Sequence, residues 1–373
     1  MPSEQQMAGA ASAAGDPLRV VIAGGGTGGH VIPALAIGRE LRDRHGAELL
    51  FIGTSRGLET KLVPEAGFRL ELVRSGQLKN VSLATRLKTF SDLPAGIAQC
   101  VRLLRQFRPH VVVGVGGYAS GPAILAAVAL RIPTLAYEPN AVPGMTNRLA
   151  GRFVSAAAVN FEKTVSFFRN AEVTGVPVRP EICALAPKPD GVPLQLLVTA
   201  GSQGAAVFNN MLPRIATRLM HALPDLTIVH QTGPRHLETT RAAYEESGLP
   251  SGQWFVEAFL ADMPRQYGDA DLVLARSGST VAELCAAGKP SLLVPFPQAA
   301  DDHQRKNAEV LVEAGAAAMM LQADVTPESL EVALLGLLQN APRRQEMAGR
   351  ARVMARPKAL EHIAAMVLRL ARP

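Results

Sequence analysis

The sequence predicts an α/β protein made of two doubly wound parallel-sheet domains facing each other across a cleft. Three observations carry that expectation. Short apolar runs without polar alternation, as strands buried on both faces require, alternate with helical stretches along the chain. Two glycine-rich turns that each close such a run begin at Gly24 and Gly201, 177 residues apart in a chain of 373. Between them, residues 176–193 hold five prolines (Pro177, Pro180, Pro187, Pro189 and Pro193), the composition of a linker.

In the first half, strands are expected over 18–23, 48–52, 69–73, 110–115, 134–137 and 153–159. Helices lie between them over 33–44, with Pro33 early in the first turn, and over 95–107. The second half repeats the plan, with strands over 194–199, 227–230, 272–275 and 291–294. Its helices are expected over 205–219, 235–247, 281–287 and 303–314. Right-handed βαβ units then wind each half into its own sheet. A last helix over 357–370 follows the break at Arg356-Pro357 and is expected to cross back to the first domain. The expected limits are therefore a disordered leader over 1–17, a first domain over 18–178 joined by 357–373, and a second over 179–356.

Composition narrows the function classes. With 48% apolar and 19% charged residues the chain buries sizeable cores and is not intrinsically disordered. Cys100, Cys183 and Cys285 form no CxxC pair, so neither a disulfide framework nor a cysteine zinc site is expected. The histidines stand singly, and Asp269-Ala270-Asp271 reads better as a helix end running into a strand than as a cation site. No metal and no cofactor are expected. No apolar stretch approaches the ~20 residues of a membrane span.

The net charge is +6, and its excess is concentrated. Arg69, Arg74, Lys79, Arg86, Lys88, Arg102, Arg105 and Arg108 face only Glu71 and Asp92 in that stretch, which suggests an anionic partner near one face. No nucleic-acid-binding module or aromatic platform accompanies the charge, so nucleic acid is not the expected partner.

The turn Gly24-Gly25-Gly26-Thr27-Gly28-Gly29-His30 ends a strand and opens a helix. Bare backbone N–H groups and the positive helix end favour a phosphate or another oxyanion there. A dinucleotide reading needs an acidic residue at the end of the second strand, which instead runs Phe51-Ile52-Gly53-Thr54-Ser55-Arg56. The second turn, Ala200-Gly201-Ser202-Gln203-Gly204, nearly matches a nucleophile elbow but lacks its first glycine. Ser202 is better read as capping the next helix or donating to a phosphate.

Seven motifs in order then carry a resemblance: GGGTGGH at 24–30, GGYASGP at 116–122, YEPN at 137–140, TGVPVR at 174–179, GSQGA at 201–205, RSGSTVAE at 276–283 and DDHQRKNA at 301–308. From about Leu18 onward the chain resembles the MurG family of N-acetylglucosaminyltransferases of bacterial peptidoglycan synthesis. The resemblance implies a GT-B fold, two Rossmann-like domains with the active site between them. It implies UDP-GlcNAc as donor and lipid I as acceptor, with inversion at the anomeric carbon to give lipid II and UDP without a metal. It also implies a peripheral place on the cytoplasmic face of the inner membrane, beside other cell-wall and division proteins.

Carried over by motif, Thr27, Gly28 and Gly29 would lie against the donor, Asn140 would contact the GlcNAc and Arg179 the nucleotide. Ser202 would sit in the phosphate region, and Leu260 would line the uracil pocket through its backbone. Ser279, Thr280, Val281 and Ala282 open a helix suited to the pyrophosphate, Glu283 would accept from the ribose and Gln304 would bond GlcNAc hydroxyls. Gly117 and Tyr118 fall on the acceptor side. His30 is the expected general base, because a helix N-terminus disfavours imidazolium, and Glu138 is the second candidate. Arg276 would add charge near the leaving group or pair with a carboxylate. Leu83, Leu87, Phe90, Leu93, Ile97, Val101 and Leu104, with the adjacent Arg and Lys, are expected to dock at an anionic membrane. Another GT-B UDP-sugar transferase, a UDP-GlcNAc epimerase and a non-catalytic nucleotide-binding scaffold are the alternatives.

Overall fold

The computed structural model describes residues 17–75, 83–189 and 191–372, with the backbone alone for 83–92. The expected leader thus lies outside the described residues apart from Pro17, as do Lys79 and the side chains of Leu83, Arg86, Leu87, Lys88 and Phe90.

Seven strands form the first sheet: β1 Arg19–Ala23, β2 Glu48–Gly53, β3 Arg69–Leu72, β4 Val111–Gly114, β5 Thr134–Glu138, β6 Ala156–Val159 and β7 Ala171–Val173. All are parallel, in the order β3-β2-β1-β4-β5-β6-β7. Six more form the second: β8 Gln195–Thr199, β9 Thr227–Gln231, β10 Trp254–Glu257, β11 Leu272–Ala275, β12 Ser291–Leu293 and β13 Ala317–Met319. They too are parallel, in the order β10-β9-β8-β11-β12-β13. The winding reverses between β1 and β4 and again between β8 and β11, and a crevice opens at the carboxyl ends of such strands. Register sets the loops side by side: Ala23 stands level with Ile52 and Gly114, and Thr199 with Ala275.

The apolar strands are buried on both faces, as their lack of alternation requires. Val20 and Ile22 pack with Ile37 and Leu41 of the helix Gly28–His45, while Val21 and Ala23 meet Cys100, Leu104 and Ile124 on the opposite face. In the second sheet Leu196 and Val198 pack with Phe208 and Leu212, and Leu197 packs with Leu284 and Leu311. The helix Ala359–Ala371 lays Ile363, Ala364, Met366 and Val367 into the core of the first sheet, not the second.

Several elements differ from expectation for local reasons. The first helix begins at Gly28, because the glycine turn itself winds into it, and Pro33 falls in its second turn. The helix expected over 95–107 extends over Leu83–Phe107. The strand expected from residue 153 starts at Ala156, since Phe153 N–H closes a turn on the Ala150 carbonyl. The proline-rich stretch contains a short helix, Pro180–Cys183. The expected membrane face is corrected at three positions: Leu104 is fully buried and Ile97 and Val101 pack against the same core. Among the described residues no helix is long and apolar enough to cross a membrane.

Candidate active site

The turn after β1 and the turn after β4 emerge together and press backbone on backbone. Gly25 N–H donates to the Gly116 carbonyl at 3.3 Å, and a Cβ on Gly117 (φ +81°) would lie 2.2 Å from the Gly25 carbonyl oxygen. Gly117 is thus packed against the glycine turn, while Tyr118 is exposed, its carbonyl accepting from Ser75 Oγ at 2.7 Å. Thr27 occupies the N-cap of the helix Gly28–His45 in an extended conformation, with no side-chain cap bond, and Gly28 and Gly29 form the first turn.

His30 follows in that turn. Its Nδ1 lies 3.2 Å from the Gly25 carbonyl and 3.5 Å from Thr27 Oγ1. Burial is the main cause that lowers its pKa below the ordinary histidine value, opposed by the Gly25 bond; the charge of His303 lowers it further and that of Glu59 raises it. The ring is therefore neutral at neutral pH.

Glu138 ends β5 and is almost fully buried. One oxygen accepts from the Asn140 N–H and Nδ2, each at 3.0 Å, and the other from the Gly144 N–H at 3.0 Å and Asn147 Nδ2 at 2.9 Å. Burial raises its pKa, against four donors that lower it. Four bonds shape the 138–144 loop around this carboxylate.

The second domain meets that loop through Asn307, on the helix His303–Glu313. Its Oδ1 accepts from the Ala141 N–H at 2.8 Å, and its Nδ2 donates to Asn140 Oδ1 and to the Ser277 carbonyl, each at 3.1 Å. Arg148 and Asp301 add an ion pair at 3.4 Å across the same boundary. Sequence reasoning quotes Asn307 in a motif but assigns it nothing.

On the second domain, the helix Thr280–Ala287 starts behind the N-cap Ser279, whose side chain makes no cap bond. Val281 is buried and Ala282 half-buried. Gln304 holds the adjoining turn, its carbonyl accepting from Ser277 Oγ at 2.8 Å and its Oε1 from the Phe296 N–H at 3.0 Å. Its Nε2 faces Gly278, 3.7 Å from where a Cβ would stand. Glu283 receives the Tyr267 hydroxyl at 2.9 Å on one oxygen and lies 3.8 Å from Arg179 through the other. Burial raises the Glu283 pKa, with the Tyr267 and Arg179 contacts opposing it.

Two expectations are corrected here and a third, for Leu260, is narrowed. Ser202 does not cap the next helix: that helix is Ala206–Ala222 with Ala205 at its N-cap, and Ser202 stays exposed in the preceding turn. The Leu260 N–H is committed to Gln231 Oε1 at 2.8 Å, so its carbonyl alone is left for a ligand. Gln231, which sequence reasoning missed, joins that residue to the Gly201 carbonyl at 2.8 Å. Arg276 pairs with no carboxylate among the described residues. Its guanidinium donates to the Val294 and Pro295 carbonyls and to Gln322, lies near the Phe208 and Phe296 rings, and has its pKa lowered to about 10 by burial. Among the described residues no cluster of three His, Cys, Asp or Glu is arranged to hold a metal. Asp271 accepts from the Gln195 N–H and Lys188 Nζ.

The arrangement offers a neutral imidazole on one wall and helix-end amides on the other. Residues 20–159 match the N-terminal domain of glycosyltransferase family 28, and residues 195–363 match its C-terminal domain. A Solibacter usitatus protein named UDP-N-acetylglucosamine--N-acetylmuramyl-(pentapeptide) pyrophosphoryl-undecaprenol N-acetylglucosamine transferase is 43% identical over 95% of this chain and 96% of its own. A Myxococcus xanthus protein of the same name is 39% identical over 93% and 91%. The crystal structure of Acinetobacter baumannii MurG superposes with a TM-score of 0.79 at 31% identity, covering 95% of this chain and all of that one. A Neisseria meningitidis UDP-GlcNAc 2-epimerase, 15% identical with a TM-score of 0.64, shares the fold.

Proposed function

The chain belongs to glycosyltransferase family 28, among the N-acetylglucosaminyltransferases of the MurG type, and from that premise we propose that it transfers GlcNAc from UDP-GlcNAc to the muramyl 4-hydroxyl of lipid I. The products are lipid II and UDP. One observation carries the reading: the 138–144 loop of the first domain meets the second domain at Asn307, which also bonds the Ser277 carbonyl just ahead of the helix Thr280–Ala287, while His30 of the glycine turn feels the charge of His303.

In the proposed reaction His30 Nε2 takes the proton of the 4-hydroxyl while that oxygen attacks the anomeric carbon. The bond from that carbon to the diphosphate breaks on the opposite side, and its electron pair leaves with UDP. Inversion follows from in-line attack. The positive end of the helix Thr280–Ala287 and Ser202 stabilise the charge on the departing diphosphate, without a metal. Arg179 and Glu283 hold the nucleotide, Glu283 by accepting from the ribose, and Gln304 and Asn140 hold the sugar. In this reading Glu138, its two oxygens accepting four hydrogen bonds, positions the loop that carries Asn140, and the base role falls to His30.

The acceptor is embedded in lipid, and the proposed location is the cytoplasmic face of the inner membrane. Leu149 and Phe153 are 71% and 64% exposed, and Arg152 between them and Arg169 beside them are exposed as well. That combination suits an anionic bilayer surface and adds a second candidate face to the one expected from the 83–104 segment, of which Ile97, Val101 and Leu104 are taken up by the core.

Labelled UDP-GlcNAc incubated with lipid I tests the reading. Label in lipid II, unchanged by EDTA, is the expected result. Release of UDP-ManNAc supports the epimerase alternative instead, UDP binding without turnover supports the scaffold, and activity lost to EDTA and restored by manganese overturns metal independence.

A further inference from the structure

Glu59 opens the helix Glu59–Glu65, is 1% exposed, and takes no part in the reaction described above. Its Oε1 accepts from the Thr54 N–H and Oγ1, each at 3.0 Å, and its Oε2 accepts from the Gly26 N–H at 2.7 Å. Backbone without side chains surrounds it. A Cβ on Gly25 would lie 2.2 Å from the carboxylate carbon, one on Gly57 1.9 Å from Oε2, and one on Gly53 2.6 Å from Cγ. Three glycines thus make room for a carboxylate against the glycine turn.

The Gly26 N–H and the Gly25 carbonyl belong to the same peptide group. One side of that peptide donates to Glu59, and the other accepts from His30 Nδ1. A carbonyl only accepts, so this bond requires the hydrogen to sit on Nδ1 and leaves the lone pair on Nε2. An anion at the N–H end polarises the peptide and strengthens its carbonyl as an acceptor.

We propose that Glu59 is a positioning residue that acts on His30 through the Gly25–Gly26 peptide, selecting the Nδ1–H tautomer and raising the basicity of Nε2. It is a carboxylate–histidine pair with a backbone amide inserted between the partners. The proposal rests on His30 as the base. The other ionisable group facing His30 is His303 of the opposite domain, whose positive form opposes the effect of Glu59. Nothing passes through the peptide but polarisation: the proton taken by Nε2 leaves from Nε2.

Nitrogen NMR of imidazole-labelled full-length protein between pH 5 and 8.5 reads tautomer and pKa directly. The expected result is a neutral His30 with hydrogen on Nδ1. In Glu59→Gln the loss of the negative charge is expected to lower the His30 pKa by half a unit or more. The acidic limb of kcat should move the same way, with kcat falling about tenfold, as for other residues that orient a functional imidazole. A neutral wild-type ring with hydrogen on Nε2 overturns the proposal, and so does a folded Glu59→Gln protein with an unmoved His30 pKa. If that variant does not fold, the wild-type tautomer alone decides. Normal turnover in His30→Ala removes His30 as the base, while the same spectra still report whether Glu59 governs the ring.

Discussion

Asn307 donates its side-chain amide to Asn140 Oδ1 at 3.1 Å, joining the two domains at the point where the candidate donor and acceptor loops meet. The same side chain satisfies the Ala141 N–H and the Ser277 carbonyl. Asn307→Ala leaves those buried groups unpaired, at a cost of about 3 kcal/mol. The expected outcome is a melting temperature lower by several degrees and at least a tenfold loss of kcat/KM, checked by calorimetry and steady-state kinetics.

His30→Ala is expected to lower kcat about 100-fold or more, the scale of a lost general base, while the UDP dissociation constant changes less than threefold. Titration calorimetry beside initial rates separates the two. Turnover near that of the parent protein eliminates His30 as the base.

Glu283 lies between Tyr267 and Arg179. Glu283→Ala removes the proposed acceptor for the ribose hydroxyls and the carboxylate beside Arg179. KM for UDP-GlcNAc is expected to rise roughly 10- to 100-fold with a smaller change in kcat. A KM unchanged within twofold counts against its place in the donor site.

How far the chain reveals all this depends on what each residue acts upon. The central strands are legible because runs such as Val111–Gly114 and Leu272–Ala275 are apolar throughout and fit only a sheet covered on both faces. Of the four edge strands, Arg69–Leu72 is expected from the sequence, whereas Ala171–Val173, Trp254–Glu257 and Ala317–Met319, three or four residues long and partly exposed, are too short to show a period. The glycine turns are legible because they advertise a backbone demand. Glu59, Gln231 and Asn307 are not, because each works on backbone groups that the fold brings from 29 to 166 residues away. The Glu59 signal does exist in the sequence, a lone acid a few residues past the end of the second strand.

The membrane reading gives a separate test. Replacing Leu149 and Phe153 together by aspartate is expected to weaken binding to anionic liposomes at least tenfold, with solution activity on a short-chain lipid I analogue retained. Flotation that matches the parent protein places the docking surface elsewhere.

His230 lies fully buried in the second domain, its Nδ1 3.3 Å from the Tyr244 hydroxyl, and burial pushes its pKa down to about 3. Between pH 6.5 and 3 the unfolded chain binds a proton there that the folded chain does not. Stability therefore falls as the pH drops through that window, at up to about 1.4 kcal/mol per pH unit. Denaturant melts of the parent and of His230→Leu check this: the variant, whatever its stability at pH 7, should show a shallower loss toward acid.

The helix Ala359–Ala371 closes the core of the first sheet, although the entire second sheet precedes it in the chain. Translation accordingly delivers β1 to β7 long before the piece that completes their packing. The nascent amino-terminal lobe must wait on the ribosome with an open apolar flank, and the order of synthesis is not the order of maturation. Expressing that lobe by itself calls for grafting the closing helix onto it.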